Sequence, residues 1–144
     1  DPVGQYPLLM AAQIYGQVPD PAKQRQMCDF VRAQFDLDPN RRWRWLAHCA
    51  ILAKHRLRDE RLALAYAEAI ARDARLASGW ARQMRIFMLE DLGEIEAATV
   101  LLGGLLASGE VTEPKEIHFL AQKLEEMKTA GKSSPLSGNR HSKP

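Results

Sequence analysis

Two aspartate-proline pairs, Asp20-Pro21 and Asp38-Pro39, constrain the fold of this chain more than any other feature. In each, a carboxylate stands where it can accept from the unpaired N–H groups of a helix's first turn. The proline that follows loses nothing there by lacking its own N–H. Thr112-Glu113-Pro114 gives much the same signal. Between these marks apolar residues recur every three or four positions, as in Met27, Val31 and Phe35, or Ile117, Leu120, Ala121, Leu124 and Met127. That is the spacing of one helix face. Gly93 and Gly109 stand where helices should stop, since glycine accepts the left-handed conformation that closes a last turn. Ala and Leu dominate over Val, Ile and Thr, which favours helix over strand. The reading is all-α, with seven helices at about 6–17, 21–36, 40–55, 59–73, 77–91, 94–107 and 113–129.

At 144 residues the chain fits one domain, able to bury about two-thirds of its unfolded surface. The net charge of +2 conceals a division. Residues 129–144 carry Lys132, Arg140 and Lys143 and no acid, and their composition predicts a disordered basic tail over 130–144. Residues 40–58 hold Arg41, Arg42, Arg44, Lys54, Arg56 and Arg58 without a carboxylate, whereas 90–126 hold nine carboxylates against Lys115 and Lys123. One end is basic and the other acidic. The apolar run after Glu96 falls short of the roughly twenty residues a helix needs to cross a bilayer, so this segment is not expected to insert into a membrane. The chain begins at Asp1 with no signal-peptide pattern near it, which suggests a piece of something longer.

The helices repeat. An offset of 35 aligns Trp45 with Trp80, Cys49 with Met84, Leu52 with Phe87, Ala63 with Ala98 and Ile70 with Leu105. Sliding back by the same amount pairs Leu46 with Ala11, Ala47 with Ala12 and Ala50 with Tyr15 more faintly. Trp43-x-x-Leu46-Ala47-x-x-Ala50, then Ala63-x-x-x-Ala67-x-x-Ile70, and before them Leu8-x-x-Ala11-Ala12-x-x-Tyr15, resemble the two-helix motif of the tetratricopeptide repeat (TPR) over residues 6–107. The match is partial: about four extra residues lie around His55 to Arg58, and Cys28-x-x-x-Arg32-x-x-Phe35 is a poor second-helix motif. The resemblance implies a short right-handed TPR-like α-solenoid of stacked antiparallel pairs at 6–36, 40–73 and 77–107. The seventh helix, 113–129, would be its polar-backed cap.

The segment Arg41–His55 crowds arginines, tryptophans, histidines and a cysteine together. At 100° per residue these separate. Leu52, Trp45, Cys49, Ala53, Leu46, Ala50 and Trp43 fill one arc, leaving a polar strip of Arg44, His55, His48 and Arg41 with Ile51 beside it. Tryptophans on the buried arc are not placed to stack on bases, and the nearly neutral body lacks a broad basic surface, so no nucleic-acid partner is expected. His48 and His55 lie about 10 Å apart along the helix, too far to share one ion, and no metal or other cofactor is expected. Cys28 and Cys49 are read as buried free thiols, with a disulfide as the alternative in an oxidising compartment. Gly103 and Gly104 are read as thinning their helix for close packing. No catalytic constellation emerges, so the segment reads as non-catalytic.

In tetratricopeptide arrays the first helix of each pair lines a concave groove. Carried onto this sequence, that implies a partner-binding groove of Tyr6, Leu9 and Gln13, then Arg41, Arg44, His48, Ile51 and His55, then Gln83 and Ile86. The expected function is a protein-protein interaction scaffold that receives a partner segment, with Arg41 and Arg44 engaging acidic groups. A different class remains open: the soluble C-terminal domain of a larger bacterial membrane-associated enzyme, of the surface-glycan transferase or polymerase type. A third reading makes Phe119, which stands off the apolar stripe of its helix, an oligomerisation surface.

Overall fold

A computed structural model describes the backbone of residues 20–141 and the side chains as far as Lys132. The described residues form six helices and no strand: α1 (Pro21–Phe35), α2 (Pro39–His55), α3 (Glu60–Asp73), α4 (Gly79–Asp91), α5 (Ile95–Ala107) and α6 (Pro114–His141). The helix expected over 6–17, with Tyr6, Leu9 and Gln13, lies outside the described residues. The chain divides into two compact units, residues 1–88 and 89–144.

The start signals act as expected at two of the three sites. Asp20 accepts from the Ala22 N–H at 3.0 Å, and Glu113 accepts from the Lys115 N–H at 3.2 Å. At Asp38 the side chain makes no capping bond. Its carboxylate lies 3.8 Å from Arg41 Nε instead, and its main-chain oxygen accepts from the Arg41 and Arg42 N–H groups. Asp59 caps α3 through the Leu62 N–H at 3.0 Å and also meets Arg25 of α1 at 3.2 Å.

In the first unit, α2 packs against both α1 and α3. Its buried face is Trp43, Leu46, Ala47, Cys49, Ala50, Leu52 and Ala53. From α1 come Gln24, Met27, Cys28, Val31 and Phe35, and from α3 Ala63, Leu64, Tyr66, Ala67, Ala69 and Ile70. The alanines are fully enclosed, as helix axes at close approach demand. Trp45, expected in the core, is only half-buried. Cys28 and Cys49 are not free thiols: they form a disulfide between α1 and α2, with Cα atoms 5.7 Å apart, well inside the span such a bond allows.

In the second unit α5 packs on α6, through Ala98 and Leu102 on one side and Leu120 and Met127 on the other. Lys123 of α6 bridges to Glu90 at 2.9 Å, and that hydrogen bond raises the pKa of the lysine. Helix α6 does not stop at Thr129 but continues to His141. At Gly131 it still lies against α5, where an added Cβ would stand 3.7 Å from Ile95 Cγ2, so the packing that supports the helix outlasts its apolar stripe.

Gly93 and Gly109 have φ of 83° and 75° and end their helices as the sequence suggests. Gly103 and Gly104 do not serve close packing, because a Cβ at either would meet nothing within 4 Å. Both lie inside α5, where glycine costs about 1 kcal/mol relative to alanine. Replacing both by alanine is therefore expected to stabilise the fold, by about 1 to 2 kcal/mol in total. A chemical denaturation series would check this, and a loss of stability would mean that something outside the described residues covers that face.

Candidate functional site

Helix α2 presents its polar strip to solvent as the helical wheel requires: Arg41, Arg44, His48, Ile51 and His55 are all exposed. Two of its cations have partners nearby. The Arg44 guanidinium stacks 5.0 Å from the centre of the Trp43 ring, and Arg41 faces Asp38. Desolvation lowers the pKa of His48 from the ordinary 6.5.

Toward the C-terminal end of α2 the surface changes character. Ile51, Lys54 and His55 face Trp80, Gln83, Met84, Phe87 and Met88 of α4 across an open groove of about 380 Å³. Its apolar lining is poorly covered, with Trp80 54% and Ile51 44% exposed. Trp80 is held at its inner edge by Trp43, whose ring meets it edge-on with centroids 5.7 Å apart, a favourable aromatic geometry. The α3–α4 turn is fixed to the start of α2 by Asn40, whose side-chain oxygen accepts from the Leu76 N–H at 2.9 Å.

A second depression adjoins the groove and shares Lys54 and His55 with it, adding Arg58 and Glu60. Arg58 follows the end of α2 with φ of 53°, a left-handed conformation that costs a non-glycine residue roughly 1 to 2 kcal/mol. Hydrogen bonds around it hold the loop: the Arg56 and Leu57 N–H groups donate to the Leu52 carbonyl, and the Asp59 N–H donates to that of Ala53. The result is an apolar trough with a cationic shelf at one end.

Of the residues that the sequence nominated, Ile51, His55 and Gln83 line this groove. Arg41, Arg44 and His48 lie on the same helix outside its lining, and Ile86 belongs to the core at 3% exposure. Counting along the repeat places Ile86 on the groove; on α4 that position turns inward, and Ile86 is buried as Ala81, Met88 and Leu89 are. The lining residues that periodicity missed are Lys54, Trp80, Met84, Phe87 and Met88. The 35-residue offset aligns Trp80, Met84 and Phe87 with Trp45, Cys49 and Leu52, which lie on the apolar arc of α2. Cys49 and Leu52 are indeed buried, while Met84 and Phe87 remain only half-covered.

The second unit has a depression of its own between α5 and α6, lined by Ile95, Val100 and Met127 among others, with Glu94, Glu96, Lys128 and Lys132 around it. Charges of both signs there favour no particular ligand. Among the described residues no helix is long and apolar enough to cross a membrane. Comparison with family models, with curated proteins and with solved structures finds no match to this chain.

Proposed function

We propose that this chain is a non-catalytic protein-interaction module of helical-repeat type, whose α2–α4 groove receives a segment of a partner protein. The observation that carries the proposal is the uncovered apolar lining of the groove, with Trp80 and Ile51 about half exposed on two helices. Large, well-positioned aromatic side chains at an open groove are the kind of residue on which binding energy concentrates. The polar strip of Arg41, Arg44 and His48 continues along α2 and would border the bound segment.

The TPR-like solenoid reading draws support from the 35-residue recurrence. It also draws on the burial of Trp43, Leu46, Ala47, Ala50, Ala63, Ala67 and Ile70, the positions at which the motif needs packing residues.

The test is to select binding peptides from a random display library and measure their affinity for the wild-type chain and for Trp80→Ala. The substitution should weaken binding about tenfold or more, while helicity is retained because the residue is mostly outside the core. Selected peptides that bind both proteins equally would place the recognition surface elsewhere.

A further inference from the structure

The groove and the shelf together define the chemistry of what fits them. Resting on the interaction-module reading, we infer that the partner segment is acidic and amphipathic. A bulky apolar side chain would lie between Ile51 and Trp80, with carboxylates directed toward Lys54, His55 and Arg58.

Three observations carry this. First, the two depressions share Lys54 and His55, so a single ligand can occupy the trough and the shelf at once. Second, the charge is one-sided: residues 40–58 contain no acid, and Glu60 is the one carboxylate in the shelf lining. A cationic end beside an apolar trough favours an anionic, apolar segment by charge-assisted hydrogen bonds and by desolvation of its anchor.

Third, the shelf is built from the residues around His55 to Arg58 that break the repeat spacing. One of its members, Arg58, occupies a backbone conformation that glycine would adopt without strain. Residues held in such conformations concentrate at ligand-binding positions. With glycine at this position the shelf would lose its guanidinium.

That last point separates function from structure in one variant. Arg58→Gly relieves the backbone and removes the charge, so it should raise the melting temperature by a few degrees while weakening acidic ligands about tenfold. A merely structural role for Arg58 moves the first quantity and leaves the second alone.

The probes are two synthetic peptides with one phenylalanine anchor, one bearing two glutamates a helical turn away and the other glutamines in their place. Binding is followed by tryptophan fluorescence and calorimetry. The glutamate peptide should bind about tenfold more tightly, and added salt should erode that preference. Lys54→Glu with Arg58→Glu should abolish or reverse it.

Equal affinity for the two peptides would overturn the inference. So would selection of only uncharged sequences that still depend on Trp80, an outcome that leaves the interaction module standing. Concentration-dependent self-association that is lost in Trp80→Ala and that excludes both peptides alike would assign the groove to a second copy of the chain and overturn the inference as well.

Discussion

Reducing the Cys28–Cys49 disulfide is expected to lower the stability of the first unit by about 3 kcal/mol. The magnitude follows from the 21 residues that separate the cysteines, because closing a loop of that length removes conformational entropy from the unfolded chain. Both sulfurs are completely buried, so reductant reaches them only when α1 and α2 part. The reduced form should therefore appear slowly in the folded protein and quickly near the unfolding transition.

Thermal melts with and without reductant measure the difference, which should be on the order of 10 °C for a unit of this size. Comparing reduction with Cys28→Ala plus Cys49→Ala separates the cross-link from the packing, since the double variant also loses two buried sulfurs. Alkylation without reductant that labelled both cysteines in unfolded protein would show that the bond is absent. A buried staple of this kind is at home where thiols oxidise.

The second large effect is expected at Arg42. This arginine is 7% exposed, and its guanidinium donates to the Gln34 main-chain oxygen at 3.0 Å and to the Gln34 side-chain oxygen at 2.8 Å. Gln34 lies in the last turn of α1, where carbonyls lack partners within the helix. A cation there also meets the negative end of the helix dipole. Arg42 thus closes α1 from the first turn of α2. Arg42→Met keeps most of the apolar stem and removes the donor; the Gln34 main-chain oxygen retains the Leu37 N–H at 3.1 Å, while the half-buried side-chain oxygen loses its charged partner, and the change should cost about 1 to 2 kcal/mol. Arg42→Lys should recover only part of this, because both bonds come from Nη1 and the lysine ammonium, one bond closer to the backbone, falls short of that position. A denaturation midpoint unchanged in Arg42→Met would show that the contact adds nothing to stability.

The helices were legible in the sequence because their signals are local. Capping acids, first-turn prolines, the glycines at positions 93 and 109, and apolar residues at helical spacing each act within a few residues. The observed boundaries at Pro21–Phe35, Pro39–His55 and Ile95–Ala107 differ from the expected ones by a residue at most.

What remained hidden depends on neighbours distant in sequence. Periodicity shows that Met84 and Phe87 share a face, but not whether another helix covers that face. It places Arg42 among six basic residues without showing that Gln34 awaits it. It brings Cys28 and Cys49 onto adjacent helices without fixing the distance between their Cα atoms. Gly103 and Gly104 illustrate the same limit in reverse: a pair of glycines reads as a close approach until the surrounding space is seen to be open.

The polar strip on α2 shows where legibility ends for the site. The helical wheel correctly separated Arg41, Arg44, His48 and His55 from the apolar arc. It gave the arginines near the helix start the leading role, because charge alone was visible. Arg44 is stacked on Trp43 and Arg41 faces Asp38, whereas Lys54 and His55 line the apolar groove and Arg58 the depression that adjoins it. Ligand recognition needs both kinds of surface together, and only the fold brings α4 to the end of α2.

The most direct test of the α2–α4 groove as the docking surface is a footprint of the bound state. Amide chemical shifts of the full chain, followed while a display-selected peptide is titrated in, report which segments the ligand touches. Shifts concentrated at residues 51–58 and 80–88, and lost in Trp80→Ala, are the expected result. Shifts confined to the Arg41–His48 strip, or to α5 and α6 with residues 80–88 unmoved, would contradict it.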